Sequence, residues 1–191
     1  MSSKTWWSSD HHYYHTNICQ HTDRKTIVKQ EDHDQWLIAL HNSIVGKSDI
    51  FWHLGDFAFN KRRVEQFTNI TSKLNGNKKF LRGNHDDKDV LKKSGFEWYD
   101  LKGSQLSDGT HIVMCHYPLA IWDKCHRGSF MLHGHSHGGY QPEFGKILDV
   151  GIDNHYRIYG YYGYFNEEKI IEYMSSREFK ALDHHTEGTN Q

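Results

Sequence analysis

The chain has 191 residues, 36% of them hydrophobic, with 23 lysines and arginines against 24 aspartates and glutamates and a formal net charge of −1. This length suits one compact domain that buries about 70% of the surface its unfolded form exposes, and the balanced charge excludes the overall basic footprint that drives long-duplex binding through counterion release. Cys19, Cys115 and Cys125 are odd in number and lack CxxC spacing, arguing against a disulfide framework or a zinc ribbon, and no apolar run spans a bilayer or forms a signal-like core in the first ten residues; a soluble, cytoplasmic protein with no membrane partner is expected.

In chain order, Thr5-Trp6-Trp7 reads as a buried first strand delivering Ser8-Ser9-Asp10 at its end. Over 32–45, Trp36, Leu37, Leu40 and Ile44 recur at helical spacing and Gly46 supplies a left-handed stop. Residues 49–54 predict a second strand that breaks at Gly55-Asp56, and Val64, Phe67, Ile70, Thr71 and Leu74 outline a second helix closed by Asn75-Gly76. Lys79-Phe80-Leu81 predicts a third strand opening into Gly83-Asn84-His85-Asp86, followed by a short helix near 87–94. Thereafter strand follows strand. Residues 104–106 and 111–114 flank the hairpin pair Asp108-Gly109, 129–133 and 146–150 predict further strands, and Asn166 with Glu167 and Glu168 caps a helix through about Met174. The predicted class is α/β, with one domain over residues 1–181 and a polar tail over 182–191.

The chain carries 17 histidines, and His133-Gly134-His135-Ser136-His137-Gly138 sets two imidazoles one residue apart on a glycine-flanked turn. Strand alternation predicts that Asp10 and His12 point the same way. Asp56 follows the second strand, Asn84 and His85 the third, and His116, His135 and His137 later ones, so a sheet would gather them along one rim. Asp10, His12, Asp56, Asn84, His116, His135 and His137 offer more nitrogen and oxygen donors than one tetrahedral ion uses, which implies two divalent metal ions. Imidazole and carboxylate without thiolate suit Mn²⁺, the first choice, and also Fe²⁺, Zn²⁺ or Ni²⁺. Two ions about 3.5–4 Å apart clamp the attacking and leaving oxygens of an in-line displacement and yield a bridging hydroxide, the chemistry of phosphoester hydrolysis. Asp56 is the expected bridge, each of its two oxygens holding one ion.

Asp10-His11-His12, Leu54-Gly55-Asp56, Arg82-Gly83-Asn84-His85-Asp86, Cys115-His116-Tyr117-Pro118 and Gly134-His135-Ser136-His137 resemble, in order, the five blocks of the calcineurin-like metallophosphoesterases, over positions 10–137. The likeness is nearest to the short single-domain phosphoesterases of bacteria and phages, through the stretch 12–18 as well. It implies an αββα sandwich of two mixed sheets flanked by helices, with a dinuclear site at the strand C-terminal ends. By the same resemblance Asp10, His12 and His137 hold one metal, Asn84, His116 and His135 the other, and Asp56 is shared. His85 then holds no metal and donates a proton to the leaving group as general acid, Asp86 steadies that region, and Arg82 grips phosphate oxygens in a fork. Phosphatases of this kind place an aspartate three residues after the shared one to orient the acid histidine; here that residue is Phe59.

Competing readings attach to single motifs. Gly134-His135-Ser136-His137-Gly138 matches a serine-hydrolase elbow, with Ser136 as nucleophile and Asp149 or Asp153 and His155 behind it, although residues 138–142 cannot start the helix that motif needs. Gly46-Lys47-Ser48 lacks the upstream glycine of a P-loop. A metal-binding scaffold without turnover is the non-enzymatic alternative. His11, His15, His21, His33 and His41 read as solvent-facing, His15 with a minor claim to substrate contact; His184 and His185 read as inert, His133 as a donor behind the ligands, and Cys115 as packing. The expected substrate is a small phosphoester, leaning to diesters of nucleotide or cyclic-nucleotide type because few residues remain for a lid. Phosphomonoesterase and nuclease are the alternatives, with Lys61-Arg62-Arg63 and Lys78-Lys79 near the expected rim.

Overall fold

The computed structural model describes residues 3–59 and 63–178. The first half runs β1 (Thr5–Ser8), α1 (Ile18–His21), α2 (His33–Ile44), β2 (Ile50–Leu54), α3 (Val64–Thr71), β3 (Asn77–Leu81), α4 (Lys88–Ser94) and β4 (Trp98–Tyr99). The second runs β5 (Leu101–Gln105), β6 (His111–Cys115), β7 (Phe130–His133), β8 (Ile147–Asp149), α5 (Ile152–Tyr159), β9 (Phe165–Asn166) and α6 (Glu167–Ser175). Lys61, Arg62 and the tail from 182, with His184 and His185, lie outside the described residues.

Two mixed sheets result. One has the order β4-β3-β2-β1-β9, parallel except for β9; the other is β5-β6-β7-β8, parallel except for the β5–β6 hairpin. Alternation along the strands builds the layers. Trp7, Trp52, Leu54 and Leu81 meet Ile112, Met114, Leu132 and Leu148 between the sheets, joined by Ile170 and Met174 of α6. Phe51 and Phe80 turn the other way, onto Leu37 of α2 and Phe67 and Ile70 of α3. The expected pair of mixed sheets with flanking helices is therefore present. Over Val113, Met131 and Ile147, on the outer side of the second sheet, the cover is Leu119 and Trp122 of an irregular segment.

Three connections make the site possible. Leu54 pairs with Leu81 in register, and both are fully buried, contributing about 1.5–3 kcal/mol each; their fixed ends release the loops carrying Asp56 and Asn84 side by side. The Asp87 carboxylate accepts from the N–H groups of Asp89 and Val90, and Asn166 accepts from Lys169 N–H, fixing the starts of α4 and α6. Helix α5 was not anticipated. It begins directly behind β8, seats Ile152 in one cluster and Ile158 and Tyr159 in the other, and ends at Gly160 with φ 77°; the spacing of Ile152, Tyr156 and Tyr159 before that glycine was the available signal.

Among the described residues, no helix is long and apolar enough to cross a membrane. No disulfide joins Cys19, Cys115 or Cys125, and Cys115 is partly buried against the outer cluster. Lys78 and Lys79 sit on β3, at the opposite end from the loop it feeds. Lys78 Nζ donates to the Leu74 and Gly76 carbonyls, and Lys79 Nζ lies 3.1 Å from Glu97, so neither extends a basic rim around the loops.

Candidate metal centre

Backbone hydrogen bonds tie the loop after β1 to that after β2 and the loop after β7 to that after β6, while the Asp56, Asp86 and Asp10 carboxylates join these to each other and to the loop after β3. Asp10 N–H donates to Gly55 O and His12 N–H to Asp56 O, both at 3.0 Å, and Gly134 N–H donates to His116 O at 3.0 Å. Asp10 and His12 stand beyond β1 and not on it, which corrects the alternation argument. Their convergence comes from left-handed backbone: φ is 60° at Asp10, 55° at His12, 56° at Asp56, 69° at His135 and 47° at His137. Non-glycine residues enter this region at a cost of about 1–2 kcal/mol each, and such strain concentrates at functional sites.

Three groups of donor atoms lie within 4.8 Å of one another: Asp10, His12 and His137; His12, Asp56 and His85; and Asp56, His116 and His135. His12 Nε2 is 3.3 Å from His137 Nε2, with the rings stacked at 5.2 Å. His116 Nε2 lies 3.0 Å from Asn84 Oδ1 and 3.5 Å from Asp56 Oδ2, and His135 Nδ1 lies 3.0 Å from the same Asn84 oxygen. The seven expected ligands are thus assembled around Asp56. Its two oxygens are not equivalent, however. Oδ1 accepts the His85 N–H at 2.9 Å, while Oδ2 faces His12 at 3.7 Å and His116 at 3.5 Å.

Whether a cation fits follows from the hydrogens. His137 Nδ1 is engaged by Asp153 at 2.7 Å and His116 Nδ1 by Leu54 O at 2.9 Å. Were both rings neutral, their Nε2 lone pairs would turn toward the centre, and that of His116 would meet the acceptor oxygens of Asn84 and Asp56. Protons must compensate in the metal-free protein. Burial opposes charge on His116, but the hydrogen bond its ring donates to Asp56 and the Asp10 and Asp56 charges overcome it and lift the ring to about 9. Burial pushes Asp10 up to about 7, against the pull of His137 and His116. At Asp56 burial acts upward, yet the bond from His116, its charge and the His85 N–H hold the carboxyl well below its ordinary value. Divalent ions would relieve this crowding, and the donor set suits them.

Around the ligands lies a set of buried braces that the sequence did not disclose. Arg24 is fully buried: Nε and Nη2 donate to the two Asp153 oxygens at 2.9 and 2.7 Å, Nη2 to Asp10 O at 2.5 Å and Nη1 to His11 O at 2.9 Å. It therefore holds the left-handed loop and the carboxylate that orients His137. Asp149 accepts from Ser136 Oγ at 2.6 Å and from Gly138 and Gly151 N–H, bracing the two-histidine turn. With the Ser136 hydroxyl on a carboxylate, no helix behind it, and His155 occupied by Tyr161 O and Lys169, the serine triad is not formed. Glycines permit the close approach. A Cβ on Gly83 would lie 2.1 Å from Asp56 Oδ1, and one on Gly134 2.5 Å from Ser9 Oγ.

The remaining expected residues divide. His85 is half exposed at the mouth, its Nε2 3.9 Å from Asp56 Oδ2, with Phe59 at 5.4 Å between ring centroids where the orienting aspartate was missing. Asp86 is buried and accepts from Gly83, Asp56, Phe57 and Ala58 N–H at 2.8–3.4 Å, which makes it a brace for the Asp56 loop. Arg82 donates through Nε to Asp100 at 2.7 Å. His11, His33 and His41 are buried, against expectation, whereas His21 is exposed and His15 sits beside His12 and Phe59. His133 Nδ1 lies 2.8 Å from Gly134 O, within the turn that carries the ligands.

No family model matches the chain. It is similar to the uncharacterized protein MJ1445 of Methanocaldococcus jannaschii, 28% identical over 136 residues, spanning 71% of this chain and 70% of that protein. It is also similar to the Gene 66 protein of Mycobacterium phage D29, 29% identical over 162 residues, spanning 71% and 79%. Among solved structures, the protein of unknown function AQ665 from Aquifex aeolicus has a TM-score of 0.65 at 20% identity, covering 90% of this chain and 100% of that one, and shares the fold. The phosphoesterase YfcE from E. coli has a TM-score of 0.40 at 17% identity over 78% of each chain, a likeness too partial to transfer an activity.

Proposed function

We propose that the chain is a metal-dependent phosphoesterase in which Asp10, His12 and His137 would hold one divalent ion, Asn84, His116 and His135 a second, and Asp56 would serve both. The observation that carries this reading is the convergence of imidazole, carboxylate and amide donor atoms around Asp56, while the opposite nitrogens of His116 and His137 are engaged by Leu54 O and Asp153. When bound, the ions supply Lewis acidity toward phosphoryl oxygens and make water a nucleophile near neutral pH.

The chain's own residues do the rest. Arg24 and Asp153 fix the His137 ring, Asp86 and Asp149 fix the loops, and the ligands are thereby held before substrate arrives. His85, tethered through its backbone to Asp56 and half exposed, delivers a proton to the departing alcohol oxygen. Exposure of His85 and His135 leaves the mouth open, which favours small phosphodiesters of nucleotide type over an enclosed metabolite.

Metal-stripped protein reloaded with Mn²⁺, Ni²⁺ or Zn²⁺ is assayed on bis-p-nitrophenyl phosphate and p-nitrophenyl phosphate. Turnover with the diester preferred is expected. Activity on neither substrate in any metal overturns the enzyme and leaves a metal-binding scaffold.

A further inference from the structure

A cavity of about 250 Å³ opens beside the candidate centre, and His137 and Asp153 form the wall the two share. It is smaller than the roughly 300–1,000 Å³ of a complete ligand pocket, so it suits one substituent of a larger molecule. Its chemistry is cationic on balance. Lys25 and Arg157 line it, opposed by Asp23, while the Asp153 carboxylate is already matched by two hydrogen bonds from Arg24. Arg157 is exposed and steadied by Nε donation to Asn154 Oδ1 at 2.9 Å, which leaves its terminal amino groups for a ligand.

A second observation is independent of charge. Tyr162 lines the same cavity with 8% of its surface exposed, and its buried hydroxyl has no hydrogen-bond partner, although an orphaned buried donor is costly. Its ring is stacked on Tyr156 at 4.5 Å between centroids, so the cavity wall is rigid and the phenol is held in place.

Resting on the phosphoesterase reading, we propose that this cavity seats a second anionic group of the substrate, a phosphate or carboxylate one side chain away from the reacting phosphorus. The substrate class is then a phosphoester with an additional anionic group on the part that is not cleaved away. Lys25 and Arg157 are specificity residues for that group; they touch the substrate and take no part in bond breaking.

Thymidine 5′-p-nitrophenyl phosphate and its 3′-phosphorylated counterpart differ by that group alone. The ratio of their kcat/KM values should favour the 3′-phosphate, fall about tenfold in Arg157→Ala, as loss of a charge-assisted hydrogen bond implies, and largely return in Arg157→Lys. An equal ratio in the unaltered protein and Arg157→Ala overturns the proposal. If neither ester is hydrolysed in any metal, the phosphoesterase reading fails, and the cavity is judged by calorimetry on metal-free protein. Adenosine 3′,5′-bisphosphate binding more tightly than adenosine 5′-monophosphate, with the difference lost in Arg157→Ala, supports the cavity's role; equal binding removes it.

Discussion

Replacing Arg24 with methionine is the most incisive perturbation, because the structure assigns its guanidinium several simultaneous tasks. The change keeps an unbranched apolar stem but leaves Asp153, largely buried, with the His137 ring as its remaining side-chain partner, and strips donors from the Asp10 and His11 carbonyls. Removing one member of a buried ion pair costs about 3–5 kcal/mol, and the lost carbonyl bonds fall within the same network and do not simply add. At a urea slope of about 2 kcal/mol per molar, the unfolding midpoint should fall by roughly 2 M. The measurement is urea denaturation of metal-free protein, alongside the double variant Arg24→Met/Asp153→Leu, in which the stranded charge is gone and part of the loss is recovered. A midpoint shift below about 0.5 M, or a double variant no better than the two single changes summed, would refute the bracing role.

Three other expectations follow from the geometry. Asp153→Asn should weaken binding at the His137 ion about 10–100-fold, measured by competition with a chelator, because the ring loses its carboxylate partner while Arg24 keeps the loop; unchanged affinity counts against that role. His85→Ala should retain both ions by elemental analysis yet lose turnover, whereas Asp56→Ala should lose metal as well, and an Asp56→Ala protein holding two ions tightly contradicts the assignment of Asp56 as the shared ligand. Burial pushes His41 and His155 down to about 4, and drives His11 and His53 downward too. Such rings are neutral in the fold but take a proton near pH 6.5 when unfolded, so their stabilisation is complete above that pH and drains away as pH falls toward 4, by roughly 3 kcal/mol for each of His41 and His155. Urea midpoints should therefore drop between pH 7 and pH 5, and a flat profile contradicts the burial of these histidines as neutral groups.

What the sequence determined by itself was the inventory and its approximate placement. Short apolar runs ending in Asp10, Asp56, Asn84, His116 and His135 marked strand ends, because strand periodicity and turn residues are local properties. What it could not determine was how those ends are held. Arg24 and Asp153 stand 129 positions apart, and their pairing leaves no periodicity to read; it exists because a guanidinium taken out of water must find a carboxylate wherever the fold brings one. His11, His33 and His41 looked solvent-facing for a related reason, since imidazole suits surface and interior alike and only packing decides. The left-handed backbone at the ligands, which replaced strand alternation as the cause of their convergence, belongs to loops clamped by Arg24, Asp86 and Asp149 from distant parts of the chain. Tertiary structure alone decided this, because each clamp satisfies the backbone groups of a loop that no local rule would have bent that way.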